Sequence, residues 1–175
     1  MKEKTLWITQ TAMFLALLIV LQAITKGFSQ LVTGSCVNAV LAVTVLIVGL
    51  SSGIVVSAIS PFVAFLLGIG PQLFPIVPTI AIGNVVFVTV LWALTHKHLN
   101  ETKWKLLAWC LSAVCKFLTL YIIIVQLICR ILPLPDAQIS VFSTMFSWPQ
   151  LITALIGGAV ALVITPQLRK ALSQS

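Results

Sequence analysis

Lys116 stands near the middle of an apolar run, Leu106–Ile128, that is long enough to cross a bilayer. A charge at that depth costs about 2.5–3.5 kcal/mol on insertion scales. Helical rise puts it on the order of 15 Å from either end of the run, further than a lysine stem can snorkel. The ammonium therefore needs acceptors within the protein: a ligand, helix carbonyls or a buried water. It is also not alone. Trp109, Ser112, Lys116, Thr119, Ile123, Gln126 and Arg130 follow one another at steps of three and four, which at about 100° per residue makes one stripe. Leu111, Leu118, Ile122 and Val125 lie elsewhere and suit lipid. The stripe should face a bundle interior or a wet cavity, where Lys116 can donate to a carbonyl, carboxylate or ring acceptor.

Other side chains could share that task. Asn84, Gln126 and Trp148 offer hydrogen bonds and a stacking surface, and Asn38, Thr119 and Gln150 complete the candidate set. Asn38 and Asn84 could instead bridge helices. Tyr121 falls off the stripe, and Arg130 belongs in the headgroup zone.

Composition limits what else the chain can do. Hydrophobic residues make up 60% of its 175 positions and charged residues 7%, against about 25% charged in a soluble domain. It cannot solvate a globular surface, so it reads as an all-α integral membrane protein. The net charge of +7 comes from scattered basic residues, with no basic helix or aromatic-interleaved patch for nucleic acid. The acids are Glu3, Glu101 and Asp136, all outside the apolar runs, which argues against a carboxylate proton relay or sodium site. No nucleotide loop or nucleophile–histidine–acid set is present, so no enzyme is expected and any energy for transport must come from another chain. The pair His96 and His98 lacks further ligands, and Cys36, Cys110, Cys115 and Cys129 show no metal spacing. No cofactor or metal is expected.

Breakers divide the chain into six apolar segments, about 6–24, 37–50, 54–67, 79–94, 106–128 and 142–165, within one membrane domain spanning 1–175. The second and third are short and read as a tilted hairpin, with Pro61 kinking the third. The first begins after Met-Lys-Glu-Lys like a signal peptide, but its run is long and no cleavage motif follows, so it reads as a retained helix. Orientation follows from lysine and arginine. With a cytoplasmic amino terminus, Lys2, Lys4, Lys97, Lys103, Lys105, Arg169 and Lys170 lie inside, and only Lys26 and Arg130 outside. The expectation is a six-transmembrane-helix bundle in the cytoplasmic membrane with both termini cytoplasmic. Asn100-Glu-Thr then lies on the wrong side for glycosylation.

That topology sends Gln22, Asn38, Asn84, Gln126, Trp148 and Gln150 toward the outer half. The proline-rich connection 68–78 could cap a pocket there, and Lys26–Ser35 could serve as a second lid. Stripes of small residues suit close helix packing. They are Thr5, Thr9, Ala12, Ala16 and Ala23 in the first segment, Gly53, Ser57, Ser60, Ala64 and Gly68 in the third, and Ser143, Ser147, Gln150, Ala154, Gly157, Ala161 and Thr165 in the sixth.

Thr9-Gln-Thr-Ala-Met-Phe-Leu-Ala16, together with the stretch from Thr33-Gly-Ser-Cys-Val-Asn through Gly53 and Ser60-Pro-Phe to Ile82-Gly-Asn84, resembles the substrate-binding S component of an energy-coupling factor (ECF) transporter. The likeness covers about residues 5–165. It implies a high-affinity binder of a vitamin or other micronutrient that docks on a transmembrane T component driven by two cytoplasmic ATPases. It also implies that Ala12 and Ala16 meet the T component, and that the pocket lies in the outer half. A non-transporting scaffold of similar helix count is the alternative, and the polar stripe through Lys116 is what speaks against it.

Overall fold

The computed structural model describes residues 2–97 and 101–172, all in helices or short connections. His98 and Asn100 lie outside the described residues. The order is α1 (Lys2–Thr25), α2 (Gln30–Ile47), α3 (Leu50–Leu66), α4 (Ile76–Thr95) and α5 (Thr102–Leu120). A π-helical stretch (Tyr121–Ile128) and one α turn, α6 (Cys129–Ile131), prolong α5 into a single rod. Two helices follow, α7 (Asp136–Met145) and α8 (Trp148–Leu172). Around the bundle the neighbours run α1, α3, α4, α5, α8, α2 and back to α1, and α2 also crosses onto α4.

Six passes bring both ends of the chain to one face, the terminal face. There Arg169 donates to the Leu46 carbonyl at 2.5 Å, and Trp7 donates to Ser51. The loop face carries the 26–29, 67–75 and 132–135 connections together with α7. The bundle buries polar side chains within a largely apolar core and turns large apolar ones outward, as lipid demands. Thr11, Asn38, Ser57, Ser60, Asn84, Ser112 and Lys116 are buried, while Leu17, Ile24, Leu66, Ile122 and Val163 are exposed.

Three expectations about the elements change. The second helix begins at Gln30, not near 37, so the supposed lid shrinks to Lys26–Ser29. Its first turns, Gln-Leu-Val-Thr-Gly-Ser, are the polar end of the helix, and Gln30 there donates to the Met145 carbonyl at the end of α7 at 2.7 Å. The sixth segment is two helices, broken at Phe146–Ser147. Pro149 sits in the first turn of α8, where its missing N–H costs nothing. α3 and α4 run to Leu66 and from Ile76, and the connection between them is irregular as expected, with φ of +65° at Gly68 and +81° at Gly70. Finally, the polar stripe of the fifth helix does not stay inward along its length. Ser112 and Lys116 are buried, but the buried positions then continue as Leu120, Ile124 and Cys129. The wider π turn, with its i to i+5 pattern, slips the register and carries Gln126 off the inner face.

Candidate functional site

Two close helix crossings assemble the polar centre of the molecule. α2 meets α8 where Gly34 and Gly157 leave room. A β-carbon on Gly157 would sit 2.6 Å from both Asn38 Cβ and the Ser35 carbonyl oxygen, and one on Gly34 would sit 2.9 Å from Thr153. α4 meets α5 at Gly83, whose missing side chain accommodates Leu120 at 2.7 Å. Without a hydrophobic drive in lipid, such contact through small residues is what lets helices associate. Here it also sets polar groups in place, since Asn38 follows Gly34 by one turn and Asn84 follows Gly83 directly.

The result is a buried cluster. Lys116 Nζ donates to Asn38 Oδ1 and to Asn84 Oδ1, each at 2.6 Å, and lies 5.6 Å from the centre of the Phe87 ring. Lys116 is 3% exposed and both asparagines 1%. Because an ammonium has only donors, both amide oxygens must face it, which fixes which way each amide points. Asn38 Nδ2 then donates to the Gly34 carbonyl at 2.9 Å and to Thr153 Oγ1 at 3.3 Å. Two of the three ammonium hydrogens are thereby engaged by neutral oxygens. The charge itself meets no carboxylate.

Above the cluster, toward the loop face, a cavity of about 300 Å³ opens. Lys116, Asn38 and Asn84 form its floor side, and Pro61, Ala64, Phe65, Val77 and Ile80 give it an apolar wall. Lys26, Phe28, Ile69, Gly70 and Pro71 stand at the loop end, where Lys26 Nζ reaches the Leu67 carbonyl at 3.3 Å. No acidic residue lines it. Two polar atoms among its lining residues, Gln22 Oε1 and Ser60 Oγ, are buried without a partner.

The structure brings together four of the seven candidate contacts: Lys116, Asn84, Asn38 and Gln150 all line the cavity. The other three do not reach it. Trp148 is 59% exposed at the start of α8, because the break at Phe146–Ser147 turns it away from the bundle. Gln126 donates to the Tyr121 hydroxyl at 3.0 Å, five residues back, a pairing the π turn creates. Thr119 returns its hydroxyl to the Cys115 carbonyl at 2.8 Å. Sequence reasoning missed Phe87, although its place one turn after Asn84 on α4 puts the two on one face. It placed Gln22 in the outer half but left it out of the candidate contacts, although Gln22 follows the buried positions Thr11, Phe14 and Leu18 at helical steps on α1. The outward face of α1 is the reverse: Thr5, Thr9, Ala12, Ala16 and Ala23 are all exposed. In α3 and α8 the small stripes are buried, with Gly53, Ser57, Ser60 and Ala64 in one, and Ala154, Gly157, Ala161 and Thr165 in the other.

A bundle of apolar helices with a cavity opening among its loop-face connections has the build of a multi-pass membrane protein with room for a small molecule. The model of the family described as the substrate-specific component of ECF transporters matches residues 7–169, and the chain belongs to that family. Members are multi-pass proteins of the cytoplasmic membrane that bind a small-molecule substrate and associate with a T component and ATPases. No curated protein and no solved structure is significantly similar to the chain.

Proposed function

We propose that this S component captures an acceptor-rich nutrient, a vitamin or similar micronutrient, with high affinity in the loop-face cavity. The loop face then lies outside the cell and both termini are cytoplasmic. The observation that carries the reading is the Lys116–Asn38–Asn84 cluster beneath the cavity. It presents a buried cation with one hydrogen uncommitted to protein, in surroundings that hold no counter-ion. A carbonyl or carboxylate of the nutrient completes that coordination, and charge-assisted bonds of this kind are the strong ones. Asn84 and Gln150 add amide contacts, Gln22 and Ser60 supply the two unpartnered atoms, and Phe28 and Phe65 cover an apolar part of the ligand. Trp148, Gln126 and Thr119 have no part in this proposal.

Delivery uses another surface. The exposed small-residue face of α1, centred on Ala12 and Ala16, docks on the T component, and two cytoplasmic ATPases supply the energy. What supports this is that α1 packs on α2 and α3 while Thr5, Thr9, Ala12, Ala16 and Ala23 on its far side are exposed, which lets a partner helix approach closely.

Native mass spectrometry of the solitary protein, purified in mild detergent from cells grown in rich medium, tests the binding role. One small molecule should be retained by the wild type. Lys116→Met should bind it about 10- to 150-fold more weakly, the equivalent of one lost hydrogen bond to a charged group. An unchanged affinity in folded Lys116→Met would remove the cluster from the site.

A further inference from the structure

A second cleft, of about 270 Å³, opens at the terminal face, where the ends of α2, α4, α5 and α8 come together. Its charged residues are Lys105, in the first turn of α5, and Arg169, in the last turn of α8. No acid lines it. Arg169 spends one donor on the Leu46 carbonyl at the end of α2. A guanidinium has five, so the rest of its fork remains for a ligand.

A buried hydroxyl points to an occupant as well. Thr11, Thr25, Thr44, Thr95 and Thr119 each donate back to the carbonyl four residues earlier. Thr165, which lines this cleft and is 6% exposed, has no partner for its hydroxyl. The remaining lining is Thr95, whose hydroxyl is spent on the Leu91 carbonyl, and the apolar Leu46, Leu162 and Pro166.

We propose that this cleft binds the phosphate of an anionic membrane lipid. Lys105 and Arg169 hold the phosphate oxygens, Thr165 supplies a third donor, and the apolar Leu46, Leu162 and Pro166 receive the start of the acyl chains. Basic recesses between transmembrane helices are suited to lipid headgroups. A free phosphate would offer nothing to the apolar half of the cleft, which is why the lipid is the favoured source. The cleft has no wall from α1, so a lipid there leaves the Ala12–Ala16 face clear. By bridging Lys105 on α5 and Arg169 on α8, the bound phosphate ties together two helices that enclose the substrate cluster.

The test is native mass spectrometry of the full chain equilibrated with equal amounts of phosphatidylglycerol and phosphatidylcholine of matched acyl chains. One phosphatidylglycerol should be retained in preference. Lys105→Gln and Arg169→Gln should each lower that retention about fivefold. Lys97→Gln and Lys103→Gln, at exposed cations outside the cleft, should leave it unchanged. Arg169→Lys keeps the charge without the fork and should fall between, which covers the case in which Arg169→Gln fails to fold. Equal retention of the two lipids would overturn the proposal. So would equal losses from Lys97→Gln and Lys105→Gln, which would mean diffuse surface charge. Displacement of the lipid by millimolar inorganic phosphate would replace it with a free-phosphate site.

Discussion

At the scale of single residues, the decisive fact is that Lys116 is held but not neutralised. Two amide oxygens replace part of its hydration shell, and neither carries a charge. Asn84→Asp changes that with one atom's difference in kind. The new carboxylate would pair with the ammonium and cancel the positive charge under the cavity. We expect the protein to fold, and an acceptor-rich ligand to bind about 10- to 100-fold more weakly, since it must compete with a tethered carboxylate. Asn84→Leu does something different. It leaves the buried ammonium with one acceptor fewer, which costs about 1–3 kcal/mol of stability. Titration calorimetry should therefore register the first variant, and thermal unfolding in detergent the second. Lys116 itself was legible in the sequence, because a charge midway along an apolar run has to be explained. Its partners were legible only as polar residues in the same half of the membrane. Nothing in the chain order says that residues 38 and 84 converge on residue 116, so bridging helices and contacting ligand stood as rival roles. The geometry lets the asparagines do both.

At the scale of helices, small residues decide where chains may touch, and they do so in two ways. Where the stripe is buried, it fixes the site. Gly157→Ala would press a methyl group onto Asn38 Cβ and the α2 backbone, which cannot yield as a flexible side chain does. α8 must move out, loosening the Asn38–Thr153 contact at 3.3 Å. Overpacking of this kind costs about 1–3 kcal/mol, and we expect a lower melting temperature together with weaker ligand binding. Gly27→Ala, in a connection with open space around it, should do neither. Where the stripe is exposed, as on α1, it is the surface proposed above for the T component. Ala12→Leu combined with Ala16→Leu should leave ligand binding by the solitary protein intact and abolish co-purification with a T component. Intact assembly in that double variant would count against α1 as the docking helix. Periodicity showed these faces because lipid imposes long helices and sorts small from large around them. It could not show the π turn at Tyr121–Ile128, since widening a turn leaves the apolar composition unchanged while rotating everything beyond it. The break before α8 did leave a trace in Pro149, but the surrounding residues are apolar enough to read as one span.

At the scale of the whole molecule, charge and cavity placement make one statement about direction. Lys4, Lys97, Lys103, Lys105, Arg169 and Lys170 belong to the terminal face, while Lys26 and Arg130 belong to the loop face. Basic residues are retained on the cytoplasmic side of a membrane, so the cavity, which opens among the loop-face connections, should meet the outside. The helix count and this bias could be read from the chain alone. The enclosed volume could not, because it is made by the 67–75 connection, the short 26–29 turn and the α7–α8 break meeting in space. Direction can be measured with introduced cysteines in a variant whose four native cysteines are replaced. Phe74→Cys lies on the loop face, in the 67–75 connection, and is 57% exposed in the native chain. Gln167→Cys lies near the end of α8 and is exposed. In intact cells a membrane-impermeant maleimide should label the first and spare the second, and permeabilisation should equalise them. The reverse pattern would place the cavity mouth in the cytoplasm. A protein that loads from that side would be an exporter or a sensor of internal solute, and capture of an external nutrient would have to be abandoned even if Lys116 proved to bind it.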